Sequence, residues 1–99
     1  MVRHIILWQF QDTMGKEERA AAAGRIKREL EALVGVVPGL VSAFVGTNPL
    51  DTSNADLCLD SCLESREALA AYAVHPAHVA AASFVRSVIK SRTCMDFEV

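Results

Sequence analysis

What most restricts the fold of this chain is a repeated change in the spacing of its apolar residues, from every second position to every third or fourth and back. Residues 3–10 place His4, Ile6, Trp8 and Phe10 on one side of an extended segment and Ile5 and Leu7 on the other. Such a strand is expected to be covered on both faces. Asp12 or Thr13 can cap a helix running to about Val34, because Ala23, Ile26, Leu30, Leu33 and Val37 recur at helical steps and share a stripe. Gly35 and Pro38-Gly39 end it. Residues 40–47 then read as a second strand and 48–54 as a polar turn. A third strand over 55–63 turns Leu57, Leu59 and Leu63 one way and Asp56, Cys58, Asp60 and Cys62 the other. Ser65 can cap a helix over 66–74, with Leu69 and Tyr72 facing the same way. Pro76 breaks the pattern, since the residue before a proline is pushed out of the helical region. A second helical piece runs to about Ser91, with Val79, Phe84, Val85, Val88 and Ile89 as its apolar face, and Thr93 to Val99 close as a strand.

The resulting order, β-α-β-β-α-β with the second helix broken, is the α+β ferredoxin-like plan: an antiparallel sheet with its helices on one face. The other face would carry Ile5, Leu7, Val41, Val45, Met95 and Phe97, which no remaining element can cover, so a homodimer is expected. The 99 residues make one domain, and a chain this short buries a modest share of its surface alone. Although 52% of the residues are hydrophobic, no apolar run approaches the roughly 18 that span a bilayer. The first residues show no cleavage pattern of the secretory kind, so a cytoplasmic location and no membrane partner are expected. A formal charge of −2, without a basic cluster among aromatics, argues against nucleic acid. Cys58, Cys62 and Cys94 make neither a disulfide framework nor a redox pair, and are expected to be reduced, buried thiols. In a strand, Cys58 and Cys62 would stand about 13 Å apart, too far to bridge. Combined with His75 and His78 they match no zinc spacing, so neither a metal nor a cofactor is expected.

Chemistry concentrates in Tyr72-Ala-Val-His75-Pro76-Ala-His78, which holds the only tyrosine and two of the three histidines. His78 opens a helix, where the positive end of the dipole and partial burial favour the neutral ring, a competent general base. Tyr72, facing the same cavity, can donate a hydrogen bond to a substrate carbonyl whose oxygen gains charge as the α-proton leaves. That cavity is expected between sheet and helices, walled by Ile6, Trp8, Leu57 and Leu59, with His4 and Arg92 as polar points. Arg92 could orient an anionic group. Each residue also has a plainer role: Tyr72 and Trp8 as core aromatics, His4 as a buried strand histidine, His78 as a satisfied helix-start residue and Arg92 as a helix-ending charge. His75, preceding the proline, reads as a cap for the next helix.

Val2-Arg-His-Ile-Ile-Leu-Trp-Gln-Phe10, Val37-Pro-Gly39, Gly46-Thr-Asn48, Tyr72-x-x-His75-Pro76-x-His78 and Asp96-Phe97, in this order, resemble the stress-responsive dimeric α/β-barrel (Dabb) family over the whole chain. The resemblance implies a homodimer whose two sheets stack into a barrel. It also implies a candidate activity, since the plant member olivetolic acid cyclase folds a linear polyketide through a Tyr–His pair that matches Tyr72 and His78 here. His4 matches a pocket histidine of that enzyme. Leu57 stands where a further pocket histidine would be, and the first helix has no tyrosine. Two readings therefore stay open: a non-catalytic dimeric barrel binding a small apolar ligand, which the missing partners favour, and a cyclase or lyase acting on a carbonyl compound.

Overall fold

The computed structural model describes residues 1–99. Its elements are β1 (Val2–Phe10), α1 (Lys16–Glu31), β2 (Leu40–Gly46), β3 (Leu57–Leu63), α2 (Arg66–Val74), α3 (Pro76–Val88) and β4 (Ile89–Glu98). The strands form one antiparallel sheet in the order β2-β3-β1-β4. This is the ferredoxin-like arrangement with its second helix split in two. The split lies at Pro76, where α2 and α3 meet at 67°. Ser65 Oγ accepts from Ala68 N at 3.0 Å to start α2, and His75 Nδ1 accepts from Ala77 N at 3.1 Å to start α3. Both caps were legible in the sequence.

The core lies between the sheet and the helices. From β1 it takes Ile6, Trp8 and Phe10, from β3 Leu57, Leu59 and Leu63, and from α1 the stripe Ala23, Ile26 and Leu30, continued by Leu33 and Val37. Burying an aliphatic or aromatic side chain contributes about 1.5–3 kcal/mol, so this layer is the main source of stability. Gly39 sets the spacing of the turn against it. Its φ is +84°, and an added Cβ would lie 2.6 Å from that of Ala68 on α2.

Several expectations change. The first helix begins at Lys16 behind Gly15, with no side-chain cap, and ends at Glu31 rather than Val34. Asp12 binds Lys90 at 2.7 Å instead of capping. The last helix ends at Val88, because Ile89 and the residues after it pair with β1 as strand. Arg92 consequently stands in β4, opposite Trp8, and does not end a helix. Asp56 precedes β3, where it accepts from Phe10 N at 2.8 Å.

A further change concerns the open face. A register shift between Leu40 and Ser42 reverses the parity of β2, so Val45 pairs with Leu59 and is fully buried beneath the helices. Phe44, opposite Asp60, takes the outer position. Strand β1 is likewise covered on one side only, since Leu7 is exposed. The outer face therefore presents Ile5, Leu7, Val41, Phe44, Met95 and Phe97, a patch of the kind that marks an association surface.

Candidate functional site

A cavity of about 310 Å³ opens between the sheet and the helices, lined by Ile6, Trp8 and Leu59 from the sheet and by Tyr72, His78 and Arg86 from the helices, with Arg92 on β4. The break at Pro76 positions its reactive groups. Tyr72 leaves α2 one turn before the bend and His78 enters from the first turn of α3, so the two rings meet with centroids 4.2 Å apart.

His78 Nδ1 lies 3.3 Å from the Ala73 carbonyl oxygen. A carbonyl only accepts, so Nδ1 carries the proton and Nε2 keeps its lone pair. Burial lowers the His78 pKa, which the Ala73 carbonyl opposes and the charges of His4, Arg86 and Arg92 assist. The ring is therefore neutral at physiological pH. Burial also pushes Tyr72 up to about 12, so its hydroxyl stays protonated. No protein group hydrogen-bonds to that hydroxyl, and no buried polar side-chain atom lacks a partner, so the hydroxyl opens on the cavity. A base with a free lone pair and a free donor share one chamber.

Of the residues the sequence assigned to this wall, Ile6, Trp8, Leu59, Tyr72, His78 and Arg92 are present. Leu57 is not. It is packed in the core and borders a second recess of about 470 Å³ near the loop between β2 and β3, where Leu7, Gly46 and Cys58 stand. That larger recess holds no histidine or tyrosine, and the Asp56 carboxylate there is engaged by Phe10 N. His4 is also outside the wall. It lies behind Tyr72 at 6.0 Å between ring centroids, and its Nδ1 donates to Asp96 Oδ1. His75 is consumed as a helix cap. Reasoning from sequence missed Arg86, one helical turn beyond Ala82 on the cavity side of α3. The pairing of Arg86 with Arg92 could not be seen because it depends on β4 beginning at Ile89.

The cysteines differ from expectation too. Cys58 and Cys62 are half-buried and Cys94 is exposed.

A split-helix ferredoxin-like sheet with one open apolar face and a Tyr–His chamber beneath its helices defines a small class of α+β proteins. The sequence profile of the stress responsive A/B barrel domain matches residues 2–99, and the chain belongs to that family. Among solved structures, it is similar to a dimeric ferredoxin-like protein of unknown function from Bacteroides fragilis, at 30% identity and a TM-score of 0.93, covering 99% of this chain and 95% of that one. A dimeric ferredoxin-like protein from Thermobifida fusca, also of unknown function, matches at 24% identity with a TM-score of 0.82, covering 99% and 90%. The hydroxynitrile lyase of Passiflora edulis shares the fold at 13% identity with a TM-score of 0.80, covering 99% and 92%. No curated protein matches the chain.

Proposed function

We propose that this protein is a homodimer whose helix-side cavity binds a small carbonyl compound bearing an anionic group and removes a proton from the carbon beside the carbonyl. The observation that carries the reading is that Tyr72 and His78, one with an unpartnered hydroxyl and one with a free Nε2, face the same cavity. His78 Nε2 takes the α-proton, the C–H electron pair moves into the carbonyl, and the enolate oxygen is held by the Tyr72 hydroxyl. Arg86 and Arg92 suit a carboxylate at the cavity edge. A volume of about 310 Å³ stands at the small end of ligand sites, which favours a compact acid over an extended polyketide.

The dimer reading rests on the uncovered apolar face and on the dimeric state of the Bacteroides and Thermobifida proteins.

The test is exchange of α-protons for deuterium, followed by NMR, across a panel of small β-keto and aryl-keto acids. Exchange above the buffer rate, abolished in His78→Ala, is the expected result. If no compound exchanges faster than in buffer, or if His78→Ala exchanges equally well, the catalytic reading fails. Saturable binding without exchange would leave a ligand-binding barrel.

A further inference from the structure

Outside the cavity, three side chains of different donor type converge at the free edge of the sheet. His4 on β1 pairs directly with Asp96 on β4, and Ile6 pairs with Cys94, so Cys94 and Asp96 are alternate residues of one strand facing the same side as His4. Cross-strand partners and i, i+2 neighbours on one face are within side-chain reach of each other. The ligand atoms do meet: Cys94 Sγ is 3.8 Å from His4 Nδ1 and 3.6 Å from Asp96 Oδ1, and His4 Nδ1 touches Asp96 Oδ1. All lie within 4.8 Å of one another.

We propose that His4, Cys94 and Asp96 form a binding site for a borderline divalent cation of the zinc type. A tetrahedral zinc ion, with bonds of about 2.3 Å to sulfur and about 2.0 Å to nitrogen and oxygen, holds its ligand atoms about 3.5 Å apart. The two sulfur separations already have that size. The nitrogen–oxygen contact must open, and the carboxylate is the part free to turn, since the Asp96 side chain is 41% exposed against 7% for His4. His4 is the fixed ligand. Its ring is buried against Tyr72, and its backbone carbonyl accepts from Ser61 Oγ at 2.8 Å. One thiolate, one imidazole and one carboxylate select a zinc-like ion over magnesium or calcium, which prefer oxygen alone. With three protein ligands, two of them on exposed residues of the edge strand, the fourth position is left to water.

Binding releases the thiol proton and moves the His4 ring proton from Nδ1 to Nε2, which frees the Nδ1 lone pair for the ion and makes occupancy rise with pH. Without a cation the three groups rest as a hydrogen-bonded cluster. The site does not depend on the Tyr72–His78 chemistry, because none of its ligands lines that cavity.

The probe is Co²⁺ added to the full chain under a thiol-free reductant, followed by displacement with Zn²⁺ in competition with a chromophoric chelator. One Co²⁺ per chain with a thiolate charge-transfer band is expected. Cys94→Ser should abolish that band and Asp96→Asn should weaken Zn²⁺ binding by about 10-fold or more. Both positions are exposed, and circular dichroism checks that the variants fold. The Cys58→Ser/Cys62→Ser double variant and His78→Ala should bind as the parent does. A chain that gives no charge-transfer band, or a band that survives Cys94→Ser, overturns the site.

Discussion

At the scale of single residues, the Tyr72–His78 pair makes two predictions. The base is active only when neutral and its pKa lies below the ordinary 6.5, chiefly through burial. The exchange rate should therefore fall as pH drops, with a midpoint below 6.5, read from a pH–rate profile. Stability follows the same sign. Between the folded and unfolded pKa values the unfolded chain holds more protons, so this contribution is complete above about 6.5 and declines as pH falls through the folded value. Denaturant titrations against pH should lose that component in His78→Gln. Tyr72→Phe separates chemistry from architecture, because the hydroxyl has no protein partner to leave stranded. We expect a loss of about 10²-fold in exchange, with stability changed by about 0.5 kcal/mol or less. The pair itself was readable in the chain, since phenol and imidazole are rare and a proline between them forces a bend. That the hydroxyl would be free was not readable, because its surroundings come from β1, β3 and α3.

At the scale of elements, the exposed edge of β2 is closed by α1. Lys27 Nζ donates to the Val45 carbonyl at 3.0 Å, and Glu31 Oε2 accepts from Val45 N at 2.9 Å and from Lys27 Nζ at 2.7 Å. An occupied edge does not offer itself to foreign strands. Burial would raise the Glu31 carboxyl, but Lys27 and the Val45 N–H outweigh it and hold it below its usual 4.5. Glu31→Ala should cost about 1–2 kcal/mol at neutral pH in urea titrations, and the cost should shrink as acid protonates Glu31 in the parent. Gly39→Ala, which meets both a positive φ and the Ala68 side chain, should cost about 2–4 kcal/mol in the same measurement. Element order and the Ser65 and His75 caps were legible because they depend on neighbours a few residues away. The start of α1 was not: Asp12 and Thr13 look like caps, yet Asp12 is taken by Lys90 across 78 positions.

At the scale of the molecule, the outer sheet face decides assembly. Phe44, Met95 and Phe97 are 59%, 65% and 37% exposed in a single subunit, and a stable interface buries roughly 800 Å² per partner. Phe44→Lys with Met95→Lys should give a monomer in sedimentation at concentrations where the parent is a dimer, while Val45→Lys should unfold the subunit. The contrast tests the parity of β2, which periodicity alone reversed. Strand and helix periods, turn residues and composition were enough to determine the fold class, the uncovered face and the bend carrying Tyr72 and His78, because each is a property of local chain and solvent. Tertiary structure alone decided the bulge that turns Val45 inward, the arginine pair at the cavity and the meeting of His4 with Cys94 and Asp96. Those depend on cross-strand register between segments up to 92 residues apart, and register is chosen by the packing of the whole sheet against its helices.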